Sequence, residues 1–428
     1  MTQFREGKFK LITFQLNVPG DRKLGLTPYC ARADIYESVL EPTTIAEFII
    51  SDKIGIFDHF NFLEQSIDIE FNTYEDNSDA SVKYTFYPII VDTAVTTPDD
   101  KGLVYKITCV SKEALKSTEI KNLSVSRQKI ECEKMIAVLL QDPKGLNSKK
   151  QLFLERTQGL HGFNFTLVNP FTAIDEIRLT AMSAEFAGHC FLFYENSKGY
   201  HFKSFEGLIK DGLSKIGDKY YTQSATANIS VAGSRWRNIL MFNPIQTGNA
   251  NVTRALGAGK VTIRKVNTTT QEVEDINPDP KKLNFVQLNK NSTSSSAASQ
   301  NELGQNEGRI QIVRYDPTTE TSESAAAAAI RPYYLSFLFN TIAHITVYGD
   351  TTVTIGDVIT AKIPEINALS LGEKKPFVDT NVMVAGNYLI TKCHHVLTFG
   401  EGAEYMQGLE IIKDGYGGDT PKAISFVA

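Results

Sequence analysis

The chain has only five cysteines in 428 residues, and they are odd in number, far apart and without a CxxC pair. Cys30, Cys109, Cys132, Cys190 and Cys393 therefore offer neither a disulfide framework nor a clustered zinc motif. They read as reduced, buried thiols of a protein assembled in a reducing cytoplasm. His394 and His395 stand next to Cys393. Adjacent residues on a strand point to opposite faces, so those two histidines do not share one metal easily. Charge of one sign is also missing. With 44 Lys+Arg against 49 Asp+Glu the net charge is −5, which gives no basic patch for nucleic acid. No apolar run approaches the roughly eighteen residues of a transmembrane helix. The first twenty residues scatter charges through their apolar positions and do not read as a secretory signal.

Catalytic signatures are absent as well. There is no GxSxG, GxxxxGK[ST], HExxH or dinucleotide fingerprint. His161 lies between glycines in "GLHGF" and reads as a loop histidine. His189-Cys190 is a Cys/His pair in sequence only. Asp99-Asp100 and the acidic stretch "NTYEDNSDA" read as solvated loop and hairpin tip, without EF-hand spacing. The expectation is no catalytic, cofactor-binding or metal-binding residue, and no enzyme.

What is present is β-pattern. In "QSIDIEFNT", Ile67, Ile69 and Phe71 alternate with Asp68, Glu70 and Asn72. In "GLVYKITCVS", Leu103, Tyr105, Ile107 and Cys109 share one face. "SVKYTFYPIIVDTAV" is a third run, in which Pro88 predicts an edge or a bulge. From Ser111 the period changes, and the stretch to Asp142 reads as helical, with Met135, Ile136, Leu139 and Leu140 as its apolar stripe. Asn169-Pro170 predicts a helix start, with Thr172 and Asp175 resembling a capping box. "CFLFYENSKGYHF" predicts a hairpin with Gly199 at positive φ, followed by a short helix.

Strands return near residue 235. Gly257 and Gly259 mark a turn or bulge, and 277–325 is polar and serine-rich. "SESAAAAAIRPYYLSFLFNTI" reads as a helix that Pro332 kinks or restarts. Four strands near the C-terminal end read as a small closed β-domain. Arg235, Trp236 and Arg237 form the one basic-aromatic cluster, with the sole tryptophan. They read either as a strand end packed in the core or as interface anchors.

The order of these elements resembles the baseplate hub proteins of contractile-tailed phages, the T-even-type hub and its late-control relatives. The likeness lies in "IAEFIISDKIG…FNFLEQSIDIEF", in the strand running into a helix at "VYKITCVSKEALKSTEIKNLSVSRQKIECEKMIAVLLQD", in "NPFTAIDEIRLTAMSAE…CFLFYENSKGYHFKSFEGLI", and in "GDTTVTIGDVITAKIP" with "GNYLITKCHHVLTFGEGAEYMQGLEII". It covers most of the chain outside 277–325. The implied fold is mainly β, with two similar antiparallel β-barrel tube domains and a middle α+β domain. The expected division is a first barrel at 1–125, the middle domain at 126–234, a discontinuous second barrel at 235–276 and 326–415, a flexible polar insertion at 277–325 and a tail at 416–428.

The resemblance further implies a homotrimeric structural virion protein of the tail baseplate, assembled in the host cytoplasm. Two barrels in each of three chains make a pseudo-sixfold ring. Such a ring adapts a threefold central spike protein to a sixfold tail tube or tube-initiator protein, with a tape-measure protein as a further partner. DNA passes through without specific binding, and there is no membrane insertion. Two other readings stay open from the residues themselves. One is a tail-associated cell-wall or polysaccharide hydrolase. The other is a carbohydrate- or receptor-binding tail module using Tyr84, Phe86 and Tyr87.

Overall fold

The alternation at Ser66–Asn72 is realised as a strand. Ile67, Ile69 and Phe71 are fully buried, while Asp68 and Glu70 face outward. The computed structural model describes residues 6–18, 20, 22–52, 55, 62–74, 80–95, 103–121, 123–217, 219–223, 237–246, 261–276, 285–289, 291–292, 309–315, 327, 331, 334–335, 338–339, 341–363, 381 and 384–416. The first half contributes β1 (Lys10–Val18), β2 (Arg22–Gly25), β3 (Cys30–Ser38), β4 (Ile45–Asp52), β5 (Ser66–Asn72), β6 (Val82–Val95) and β7 (Leu103–Ser111). Their inward residues, among them Phe14, Leu16, Ile35, Phe48, Phe86 and Ile107, close round one core. The sheet therefore curls on itself, as it must when one face is apolar throughout. Pro88 lies in an internal strand, at a register shift against β7 between Pro88 and Ile90. A bulge is where a residue without an N–H does least harm to a ladder.

The middle region holds α1 (Lys112–Glu119), β8 (Leu123–Ile130), α2 (Cys132–Gln141), β9 (Gln151–Leu154), β10 (His161–Val168), α3 (Pro170–Thr180), β11 (Phe191–Asn196), β12 (Gly199–Ser204) and α4 (Phe205–Ser214). The helical reading of 111–142 is corrected here, because β8 separates two helices. Leu123 and Val125 alternate with Ser124 and Ser126, and the ladder to β10 pairs Val125 with Phe165. Serine is a weak helix former, and strand pairing decides the matter. His161 is also corrected. It opens β10 and is fully buried, with Nε2 3.4 Å from the Gln158 carbonyl. Asn169 caps α3, accepting from Thr172 N at 2.8 Å. The 191–204 hairpin forms with Gly199 at φ 143°. A Cβ there would stand 2.2 Å from the Gln151 carbonyl oxygen of the parallel β9, so only glycine fits. Met135, Ile136, Ile174, Phe193 and Phe202 lie in this region's core.

The second half adds β13 (Tyr220–Thr222), β14 (Ile239–Gln246), β15 (Val261–Asn267), β16 (Val273–Ile276), β17 (Asn291–Ser292), β18 (Arg309–Tyr315), β19 (Thr341–Tyr348), β20 (Val358–Lys362), β21 (Gly386–Thr398), β22 (Glu404–Lys413) and β23 (Gly415–Tyr416). Strands β15, β16 and β18 make a separate small sheet. Ala327, Arg331, Tyr334, Leu335 and Leu338 are helical, within the helix read from sequence. Gly257, Gly259 and Pro332 lie outside the described residues, as do 277–284, 290, 293–308 and 316–325 of the polar stretch. The described part of that stretch is anchored. Leu288 and Asn289 are buried, and both bond to Asp414. A third core gathers Tyr194, Ile345, Val358, Tyr388, Ile390 and Ile411.

The two halves are one sheet. Its thirteen strands run β14-β19-β22-β21-β3-β4-β7-β6-β5-β1-β2, with β20 and β13 branching from β21. The join is β3 against β21, antiparallel from Lys392↔Ser38 to Thr398↔Arg32. The protein is thus mainly β, a curled antiparallel sheet with an α+β region on it. No helix among the described residues is long and apolar enough to cross a membrane.

Candidate functional site

The seam between β3 and β21 is where the first and second halves of the chain meet, and each of its faces carries a feature of its own. Residues directly opposite across a ladder share a face. On the outer face one such row runs Tyr87, Val110, Ile45, Tyr36, His394, Gly408, Thr346, Met241, from β6 to β14 and across both halves. Tyr36 stacks on His394 with ring centres 4.3 Å apart. Ile45 and Tyr36 are each 37% exposed and Met241 55%. The charges around this row are neutralised in place. Arg32 grips Asp34 with two bonds of 2.7 Å, Lys106 meets Glu47 at 2.8 Å, and Lys392 meets Glu410 at 2.9 Å. His394 Nε2 lies 2.7 Å from Asp34 Oδ1, the oxygen that Arg32 Nη2 also reaches.

The inner face of the seam is polar and buried. Cys393 and His395 point inward, and Glu37 stands directly opposite Cys393. Glu37 Oε1 accepts from the Tyr84 hydroxyl at 2.9 Å and from Ser197 N at 3.2 Å. Its Oε2 accepts from the Thr354 hydroxyl at 3.0 Å and lies 3.5 Å from His395 Nε2. His395 Nδ1 is 2.7 Å from the Tyr405 hydroxyl, and Nε2 is 3.3 Å from Cys393 Sγ. One carboxylate thus ties β3, β6, the β11–β12 turn, the loop before β20 and β21 together. Burial first, and the Glu37 charge after it, push the Tyr84 hydroxyl and the Cys393 thiol well above their ordinary values.

A second joint fixes the middle region to the first half. Lys150 Nζ lies 2.6 Å from Glu113 and 2.5 Å from Glu195, both carboxylates being buried. Glu195 also lies 3.4 Å from Thr44 N of the β3–β4 connection. Burial pulls Lys150 down, but its two carboxylate neighbours outweigh this and hold it above the ordinary lysine range. Burial raises Glu195 more than Lys150 lowers it, whereas for Glu113 the lysine and Ser148 outweigh burial and hold it low. Arg331 makes a third joint. It donates to the carbonyls of His189, Ala181 and Leu179, the first two at 2.8 Å, and so closes the end of α3.

Of the sequence-read anchors, Arg235 and Trp236 lie outside the described residues. Arg237 is half-buried, its guanidinium 4.5 Å from the Tyr220 ring centre, with Lys362 4.4 Å from the same ring. The aromatics weighed for a carbohydrate groove divide. Tyr84 and Phe86 are core, and Tyr87 lies half-buried in the outer row. The His189-Cys190 pair has the wrong chemistry for a nucleophile. Burial lowers His189 to about 4 and raises Cys190 to about 12. Asp99-Asp100 and 75–79 of the acidic stretch lie outside the described residues. A groove of about 690 Å³ beside α1 and α3 has Lys121 and Asp175 as its titratable lining residues and no carboxylate pair. Sequence reasoning missed Glu37, Lys150 and Glu195. The signal for half of the seam was present, since Cys393 and His395 are two apart and share a strand face.

No family model matches the sequence. No curated protein matches it either. Solved structures do. A tail protein from Neisseria meningitidis MC58 is 9% identical, with 95% of this chain and 97% of that one covered at a TM-score of 0.56. The 43 kDa tail protein of prophage MuSo2 from Shewanella oneidensis is 11% identical, with coverage of 94% and 98% and a TM-score of 0.53. At these identities the likeness is one of fold, and it extends along nearly the whole of each chain.

Proposed function

We propose that this chain is a structural protein of a phage-type tail, and more narrowly the hub of its baseplate, working as a homotrimer. The observation that carries the reading is the seam. Two curled β halves from opposite ends of the chain are hydrogen-bonded into one sheet, with one continuous outer row of side chains across them. A unit with two such halves presents two wall segments. Three copies then make six, which meets a sixfold tube on one side and a threefold spike on the other. The end-to-end likeness to tail proteins supports the same reading.

In this assembly the outer face of the seam lines the passage. Its cations are each paired with an acid. Such a wall offers DNA few free positive charges, and tight phosphate binding would stall transit. Strands β2 and β14, which end the sheet and have one partner strand each among the described residues, provide edges for neighbouring copies. The partners are then a central spike protein, a tube or tube-initiator protein and a tape-measure protein. The hydrolase and carbohydrate readings have no comparable support, because the one carboxylate pair described, Glu113 and Glu195, is buried and held on Lys150, and Tyr84 and Phe86 are core residues. Light scattering of the purified chain, alone and with a co-expressed spike protein, tests the proposal. A trimeric mass with a central pore in electron micrographs is expected. A monomer under both conditions overturns it.

A further inference from the structure

We propose that Glu37, Cys393 and His395 bind a zinc-class divalent ion that staples the two halves of the sheet together. The three donor atoms lie within 4.8 Å of one another and come from two adjacent strands whose register sets their spacing. Cys393 is directly opposite Glu37, and His395 follows two residues on along the same face. The separations are 3.3 Å from Sγ to Nε2 and 3.5 Å from Nε2 to Oε2. Zinc bonds of about 2.0–2.3 Å in a tetrahedron place ligand atoms roughly 3.3–3.7 Å apart. Both separations fall in that interval, and Sγ and Oε2 lie within 4.8 Å of each other.

The surroundings hold each ligand from behind. The Tyr405 hydroxyl engages His395 Nδ1 at 2.7 Å, which leaves Nε2 to face the cluster. Tyr84 and Ser197 N occupy Oε1 of Glu37, and Thr354 takes one position on Oε2, so one lone pair of Oε2 remains for the ion. Gln407 Nε2 approaches Sγ at 3.7 Å, from an amide whose oxygen already accepts from Asp350 N. Charge argues the same way. The Glu37 side chain has no exposure, and among the described residues its one ion-pair partner is His395. A buried carboxylate is expected to be paired or to coordinate a metal. A divalent ion with one carboxylate, one thiolate and a neutral imidazole is electrically balanced. The thiolate and imidazole select a borderline-soft metal over calcium or magnesium. The ion's work is mechanical, since it crosslinks β3 of the first half to β21 of the second.

The test uses the whole chain, produced in cells given added zinc, purified without chelators and analysed by elemental mass spectrometry. About one zinc per chain is expected, falling at least about tenfold in Cys393→Ser. Grown with cobalt instead, the wild type is expected to show thiolate-to-cobalt charge-transfer absorption, which Cys393→Ser abolishes. The folded wild type, checked by circular dichroism, needs no variant for the decisive reading. Less than about a tenth of an equivalent of any first-row metal under both growth conditions overturns the proposal. So does a full equivalent retained in both Cys393→Ser and His395→Gln.

Discussion

The joint between the middle region and the first half is ionic, whereas the seam between the two β halves is a hydrogen-bonded cluster with no lysine or arginine among its described partners. Lys150 sits between Glu113 and Glu195, one cation serving two acids. Glu37 is held instead by Tyr84, Thr354, Ser197 N and His395. The difference is one of solvent. The Lys150 side chain keeps 33% exposure and reaches the cluster from the surface, so its stem costs little to place. The seam cluster is closed to solvent, with the Glu37 side chain fully buried and His395 2% exposed, and the groups that reach it are short and neutral. Neutral donors, or a compact ion, are what such a site can hold.

The comparison can be broken at several points. The largest effect is expected from Lys150→Met, which leaves two buried acids without their cation. It should cost about 3 kcal/mol, the low end for a broken buried pair because the lysine is partly solvated. The midpoint of urea unfolding reads this, and an unchanged midpoint would mean the triad is only decorative. Tyr84→Phe removes a donor from a buried carboxylate at the seam and should cost about 2 kcal/mol by the same measurement.

Glu113 and Glu195 should separate. Glu113, held low, contributes stability above the ordinary carboxylate pKa that is lost as pH falls through its lowered folded value. Glu195, held high, takes up its proton first, so Glu195→Gln resembles a state the fold already tolerates. At neutral pH Glu113→Gln should cost about 1–2 kcal/mol and Glu195→Gln less. The reverse order would show that the acids share the lysine differently.

At alkaline pH the core of the middle region and the core of the first half should weaken together. Cys132 of the middle region and Cys30 of the first half are raised by burial from 9.0 to about 12. A raised folded value means stability that is complete below the unfolded value and lost as pH rises through the folded one. Urea midpoints should therefore fall steadily above about pH 9. Lys413 works in the opposite direction, because burial lowers it to about 8 and the unfolded chain binds the extra proton. Lys413→Met should therefore steepen the alkaline loss. The smallest effect is expected on the outer face, where His394→Ala should change stability by less than about 1 kcal/mol. A larger loss would make the stack on Tyr36 part of the seam's strength.

Much of the first half was legible because its strands are half-buried, and one face of each is apolar in strict alternation. Ile67, Ile69 and Phe71 announce both the strand and its inward side. Asn169-Pro170 announces a helix start for an equally local reason, a side-chain oxygen beside an orphan N–H. The middle region was read less well. Leu123–Ile130 carries polar residues on a short strand, and only the ladder to β10 distinguishes it from the helices on either side. The buried anchor at Leu288 and Asn289 was hidden inside a polar stretch, since a two-residue contact leaves no period. Of the seam, the facing of Cys393 and His395 could be read, but Glu37 could not.

By itself the sequence determined the class of the fold, the direction in which most side chains point and the absence of a catalytic signature, since each follows from residues a few positions apart. Only the tertiary structure decided that β3 lies beside β21 and that Glu37 meets His395 across 358 positions of chain. The reason is physical. Alternation tells a strand which face to bury but not which neighbour to choose. That choice is made by the joint packing of cores to which distant parts of the chain contribute at once.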